Sequence, residues 1–204
     1  MQETLVQRYR DGWDRRRRES LSIGEILFDE RIVFLGGEIN DAMANSIVTQ
    51  LLILERENPE KEIQLYINSR GGAVYHGLAI YDTMQMIRAP VSTIAVGWTA
   101  SMGTVLLAAG TEGRRFALPH ATIHMHPAGG GAQGYAPDVE IQYKELKRMQ
   151  DLLHQILAKH TKQPVAKIAE DFDRDFFMDA PTAMKYGIID EVLSEDGKEE
   201  KPEE

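Results

Sequence analysis

Four short stretches of this chain combine residue types that can do chemistry. The first is Gly97-Trp-Thr-Ala-Ser101-Met-Gly103, where small residues flank a serine just ahead of an apolar helical run. A serine on such a strand-to-helix corner projects its hydroxyl away from the backbone. The helix N-terminus beside it offers dipole and free N–H groups to a developing oxyanion. The same residue would also serve as an ordinary helix cap, and the pattern is only a loose relative of the nucleophile elbow. The second stretch, Asn68-Ser-Arg-Gly71-Gly72-Ala73, again lies where a strand passes into a helix. Paired glycines let backbone amides approach a ligand closely, as one half of an oxyanion hole or a ledge for substrate backbone would require. A plain tight turn uses the same residues.

The third stretch is Ala121-Thr-Ile-His124-Met-His126-Pro127, followed by three glycines. Either histidine can act as a general base toward a serine. In a strand both fall on one face, which also fits a metal pair. With no third strong ligand nearby in sequence, the metal reading is the weaker one. The fourth stretch, Asp171-Phe-Asp173-Arg174-Asp175-Phe-Phe-Met-Asp179, holds four carboxylates. Any one of them can orient a base in a Ser-His-Asp arrangement, and a solvated acidic loop explains them equally well.

The elements that must carry these residues alternate along the chain. Arg31 to Leu35, Ile63 to Ile67 and Val91 to Val96 read as buried strands that end in turn residues. Between the first two, Met43, Ile47, Leu51 and Leu54 recur at helical spacing until Asn58-Pro59 stops the run. Further helices are expected over about 73–88, from near Ser101 through Ala109, and over about 137–160. The last turns Ile141, Leu146, Met149, Leu152 and Ile156 inward. This order predicts an α/β fold, and apolar residues at many surface positions suggest buried subunit contacts.

Composition narrows the function classes. With 204 residues, 43% of them hydrophobic, one domain with short tails is expected. We divide it into a charged, flexible segment over 1–20, a domain over 21–193 and an acidic disordered tail over 194–204. The Arg15 to Arg18 run is read as solvated, because a net charge of -9 argues against a grip on nucleic acid or an anionic membrane. The absence of cysteine excludes disulfides and a thiol nucleophile. No apolar run resembles a secretory leader or a bilayer span, so a cytoplasmic location is expected.

One resemblance orders these signals. Tyr66-Ile-Asn-Ser-x-Gly-Gly72, Ile80-Tyr-Asp-Thr-Met84, Thr99-Ala-Ser-Met-Gly103 and Leu107-Ala-Ala-Gly110 are similar to the proteolytic subunit of the Clp (caseinolytic) protease family. So are the glycines after His126, Asp138-Val-Glu-Ile141 and Asp175-x-Phe-Met-x-Ala-Pro181, in order from about residue 30 to 193. The resemblance implies the ClpP/crotonase fold of repeated ββα units with a protruding strand–helix handle. It implies Ser101 as nucleophile, His126 as general base, Asp175 as orienting acid, and the amides of Gly72 and Met102 as oxyanion donors. Arg174, Gln133 and Gly134 fall on ring–ring contact positions. Leu52, Tyr66, Met86 and Leu193 fall on apolar pockets where an AAA+ unfoldase of ClpX, ClpC or ClpA type docks. The family further implies two stacked heptameric rings, a tetradecamer that encloses the sites and degrades unfolded polypeptides, with no cofactor and no metal; a sister subunit can share the rings.

Three positions depart from the family pattern. Arg70 replaces the usual proline before Gly-Gly, which alters the ledge or its preference. His124-Met-His126-Pro127 replaces histidine-glutamine-proline and leaves His124 as the alternative base. The N-terminal segment, with Trp13 and four consecutive arginines, departs most. Two rival functions follow from the same sequence: a non-catalytic scaffold subunit of a mixed ring, and a crotonase-type acyl-CoA enzyme. A complete serine, histidine and aspartate set disfavours both.

Overall fold

A computed structural model describes residues 22–193, so the segments expected to be flexible over 1–20 and disordered over 194–204 lie outside the described residues. A capping box opens the first helix, α1 (Ile23–Asp29), with Ser22 and Glu25 satisfying each other's amides. Then strand and helix alternate: β1 (Ile32–Ile39), α2 (Asp41–Glu57), β2 (Ile63–Gly72), α3 (Val74–Met86), β3 (Val91–Ala100) and α4 (Met102–Ala108). These are followed by β4 (Arg115–Ala117), β5 (Thr122–Met125), α5 (Ala136–Thr161), α6 (Val165–Asp171), β6 (Phe176–Met178), α7 (Ala180–Tyr186) and β7 (Glu191–Val192). The chain is an α/β protein built on a mostly parallel sheet, as the alternation predicts.

The sheet runs β1-β2-β3-β4-β7, with β5 also paired to β3 and β6 paired to β5. All pairs are parallel except β5 with β6. The edge of β3 is shared: Thr93 to Ala95 meet β4, and Trp98 to Ala100 meet β5. Through that division the chain reaches the site, because β5 carries His124 alongside Ser101 and leads directly into His126.

Strands β1 and β2 alternate, burying Val33, Leu35, Ile63, Leu65 and Ile67 on one face, whereas β3 is buried continuously from Val91 to Ala95, as a strand covered on both faces requires. Ile47, Leu51 and Leu54 of α2 are buried against them, while Met43 packs on the margin of the core. Two buried arginines lock chain segments that hydrophobicity alone would leave loose. Arg31 hydrogen-bonds the carbonyls of Leu54, Asn58, Lys61 and Glu62. Arg115 pairs with Asp190 and donates to the carbonyls of His160 and Gly187.

The structure departs from three expectations. Strands β2 and β3 run on to Gly72 and Ala100 rather than ending at Ile67 and at Gly97. The glycines are absorbed by register shifts between Ile67 and Ser69 in the β2–β3 ladder, with Gly97 at φ +64. Residues 126–135 contain no strand, so the handle is a helix without a strand partner. Pro127 and three glycines supply few side chains to hold a ladder there. Finally, Ile141 is 66% exposed, because the first turns of α5 project from the core, which Leu153, Ile156 and Leu157 enter further along with Leu152 and Ala158 packed against it.

Candidate active site

The corner around Ser101 is built from β2, β3, α4 and β5. Ser101 occupies the N-cap position of α4 but makes no capping hydrogen bond with its side chain. Its backbone adopts φ 55 and ψ -123, a region that non-glycine residues rarely enter. Such strain persists where surrounding structure holds it and clusters at functional sites. Two hydrogen bonds hold it: the Ser101 amide donates to the His124 carbonyl at 2.9 Å, and the Thr104 hydroxyl donates to that same oxygen at 2.9 Å. The reading of Ser101 as a mere cap therefore lacks the bond that defines a cap.

The glycine pair closes on this corner. Gly71 lies so near Ser101 that a Cβ on it would stand 2.6 Å from the serine Cβ and 2.8 Å from the Ala100 carbonyl. A Cβ on Gly72 would lie 2.3 Å from the Ile39 carbonyl. Only glycine fits either place, and both adopt positive φ. The Ser69 hydroxyl braces the turn, accepting from the Gly71 amide at 3.1 Å and donating to the Gly37 carbonyl at 2.5 Å. Met102 begins α4 and is buried, so its amide belongs to the first helical turn, where N–H groups have no intrahelical acceptor.

The acid and base side is arranged differently from the sequence expectation. His124 Nε2 lies 3.0 Å from Asp175 Oδ1, and its ring stacks on Phe177 with centroids 4.0 Å apart. His126, whose ring centroid is 5.5 Å from that of His124, instead has Nδ1 2.7 Å from the Pro127 carbonyl. The structure thus brings Asp175 to a histidine of β5, but to His124 rather than to His126. The strand register bears on this choice. Strand β6 runs antiparallel to β5, with Met125 opposite Phe176 and His124 opposite Phe177. That ladder ends at Met125 and Phe176, one residue short of His126 and Asp175.

The four aspartates, alike in sequence, are separated by their surroundings. Asp171 accepts from the Tyr186 hydroxyl and from Lys167. Partial burial works to raise its pKa, but those two bonds outweigh it and hold the carboxyl below its ordinary value. Asp179 caps α7 by accepting from the Thr182 amide, which likewise lowers its pKa. Asp173 pairs with its neighbour Arg174. Asp175 alone reaches a histidine, and its side chain remains 69% exposed. Among the described residues no group of three His, Asp or Glu is placed to hold a metal ion.

The remaining expected residues lie elsewhere. Leu52 and Met86 are exposed, while Tyr66 and Leu193 are half-buried. Gln133 bonds Gln142 of α5 through both its amide and its carbonyl, and Gly134 at φ +129 turns the chain into that helix. Sequence reasoning passed over Trp98, which lies half-buried beneath Arg70 and next to His124. The signal available was its position between Gly97 and Ser101, within the corner itself.

Residues 15–196 match the family model described as Clp protease. The chain is 58% identical over 174 residues to the ATP-dependent Clp protease proteolytic subunit of Dehalococcoides mccartyi strain 195, covering 85% of this chain and 87% of that one. The corresponding subunits of strains BAV1 and CBDB1 are 57% identical over the same coverage. A parallel α/β fold with a strained serine corner is thus joined to a match over most of the chain, and the chain belongs to the Clp protease family, a family of serine-type peptidases.

Proposed function

We propose that the chain is the proteolytic subunit of a compartmental serine endopeptidase that cuts unfolded polypeptides to short peptides through an acyl-enzyme. In this reading Ser101 Oγ attacks the scissile carbonyl and His126 takes its proton. The amides of Gly72 and Met102 hold the oxyanion. His126 then returns the proton to the leaving amine, and water releases the acyl group by the same route. Asp175 orients the imidazole and stabilises it when charged. The observation that carries the reading is Ser101 itself, held at φ 55 and ψ -123 with its hydroxyl uncommitted to a cap.

The base is assigned to His126 by the unbroken register of the family resemblance from Leu107 to Ile141. Transfer of the Asp175 carboxylate from His124 to His126 then needs side-chain rotation and release of His126 Nδ1 from the Pro127 carbonyl, without a change of fold. The 3.0 Å contact to Asp175 favours a second assignment, in which His124 is the base.

The relatives' names describe ATP-dependent proteolytic subunits, which supports an ATPase partner. We place this chain in stacked heptameric rings, served in the cytoplasm by an AAA+ unfoldase. Apolar residues left in solvent support such contacts: Leu52 at 42% and Met86 at 69% on one side, and Tyr135, Ile141 and Tyr143 on the entry to α5 and its first turns. No helix among the described residues is long and apolar enough to cross a membrane.

A fluorophosphonate probe tests the chemistry directly. One label on Ser101 is expected, lost in Ser101→Ala together with cleavage of a fluorogenic peptide. Triad knockouts in serine proteases cost about 10⁶ in rate. An unlabelled wild-type chain would leave the scaffold or acyl-CoA readings standing.

A further inference from the structure

Arg70 stands one residue ahead of the glycine that closes on Ser101, and the acyl-transfer chemistry makes no use of it. Its guanidinium carbon lies 4.7 Å from the centroid of the Trp98 ring. Both side chains line a cleft of about 600 Å³ together with Gly37, Glu38, Asn68, Gly71 and Gly72. The cleft therefore shares the glycine ledge with the nucleophile corner.

The backbone builds the platform under Arg70. The register shift between Ile67 and Ser69 leaves an irregular stretch of β3 opposite Asn68. The Asn68 carboxamide oxygen fills that irregularity, accepting from the Trp98 amide at 3.3 Å, and Gly97 at φ +64 makes the bend. Trp98 is also braced from below by the His124 ring, 6.3 Å between centroids. A stacked guanidinium keeps its in-plane N–H groups available at the edge of the ring, already oriented for a planar acceptor. Among the described residues no carboxylate pairs with Arg70, and the buried Trp98 Nε1 has no acceptor either. Native proteins leave few buried donors unmet.

We propose that Arg70 on its Trp98 platform forms a substrate subsite that selects an acidic side chain close to the scissile bond. The inference rests on the peptidase reading and adds the substrate class to it. Glu38, on the same cleft, is the competing charge. It follows the positive-φ residue Gly37 on an exposed, register-shifted stretch of β1, with no ring to hold it. Arg70 is exposed as well, but the Trp98 ring restrains it; a restrained cation loses less side-chain freedom on pairing than an unrestrained anion does, so the arginine sets the preference and Glu38 weakens it.

The full-length assembled enzyme is assayed on fluorogenic peptides identical except for Glu, Gln or Lys at each position flanking the cleaved bond, with products mapped by mass spectrometry. At one position Glu should exceed Gln about fivefold in kcat/KM, the scale of a partly exposed ion pair. That ratio should shrink as salt rises. In Arg70→Gln the ratio should fall to about one whatever the absolute rate, in Arg70→Glu it should turn toward Lys, and in Glu38→Gln it should grow. Equal rates for Glu, Gln and Lys in the wild type overturn the subsite, as does a preference for Lys, which would assign selection to Glu38. An acidic preference that survives Arg70→Gln overturns it as well. If the Arg70 variants do not assemble, the wild-type ratios and their salt dependence decide alone. Failure of the peptidase reading has a different signature: no peptide in the series is cut, or cleavage persists in Ser101→Ala.

Discussion

The Ser101 corner and the strand pair beside His124 and Asp175 obey different rules within one candidate site. Around Ser101 almost every degree of freedom is taken. Glycines 71 and 72 fit against it with no room for a methyl group, α4 is buried along its whole length, and the strained backbone is tied to β5 by the His124 carbonyl. Across the site, β6 is three residues long, Asp175 is largely in solvent, and residues 126–135 carry no regular structure. There the Asp175 carboxylate meets His124, and the His126 ring lies 5.5 Å from the His124 ring. Close packing holds the first region in one arrangement. The second has few buried contacts to choose between arrangements of similar energy, so a neighbouring surface can tip it. The comparison teaches that this chain fixes the Ser101 corner through its own packing, while the surroundings of Asp175 are only lightly packed within the subunit.

The sharpest way to break that comparison is to remove the histidines singly. His126→Ala should abolish peptide cleavage, on the order of 10⁶ in rate as for other triad knockouts. His124→Ala should stay within about tenfold of wild type, since Asp175 is then free to face His126. Steady-state assays on both variants, with fluorophosphonate labelling as a check on Ser101, read the outcome. A dead His124 variant beside an active His126 variant would transfer the base to His124 and show the acid strand to be already set in its working position.

The corner is tested by Gly71→Ala. The added Cβ has to sit at φ +90 and within 2.6 Å of the Ser101 Cβ, so the ledge or the serine must move. Displacement of a reacting group by about 1 Å costs roughly 10²-fold. That loss is expected in kcat/KM, with a lowered thermal midpoint and Asp175 untouched. Wild-type turnover in this variant would mean that the corner yields as readily as the acid strand, and the contrast between the two regions would fail.

The unequal packing also explains what could be read from the amino acids. Ile47, Leu51 and Leu54 lie where their helical period places them, and Ser101 lies where small residues meet an apolar run. These are local patterns, and burial enforced them. Strand ends were misjudged because Gly71, Gly72 and Gly97 favour turns locally, yet ladder pairing carried β2 and β3 through them. Arg31 and Arg115 gave no sign of burial, since each is satisfied by carbonyls brought from distant segments. Ile141 followed the helical period of α5 but not the core, because the period says which face is apolar and not what covers it. The partner of Asp175 was the least legible feature. His124 and His126 share a face, and the choice between them is a matter of side-chain torsion rather than of pattern.

The smallest expected effect concerns Arg174, and it asks whether assembly sets the acid strand. Arg174 immediately precedes Asp175, is exposed, and spends its guanidinium on its neighbour Asp173, through the backbone carbonyl at 2.5 Å and the carboxylate at 3.1 Å. Ion pairs this exposed contribute about 0–1 kcal/mol, so within the isolated chain the residue has little to hold. If it contacts a facing ring, that contact orders the turn carrying Asp175, and the population with Asp175 on His126 rises with it. Arg174→Ala is then expected to yield smaller assemblies whose peptidase activity falls about threefold to tenfold, with every Ser, His and Asp of the site intact. Sedimentation velocity and a fluorogenic peptide assay on one sample measure both quantities. The two should fall together, and concentrating the variant should restore both, because mass action favours the associated state. Full-size rings with depressed activity would place the effect inside the subunit, in the Asp173–Arg174–Asp175 turn. Full-size rings with normal turnover would show that the acid strand aligns without help from this contact.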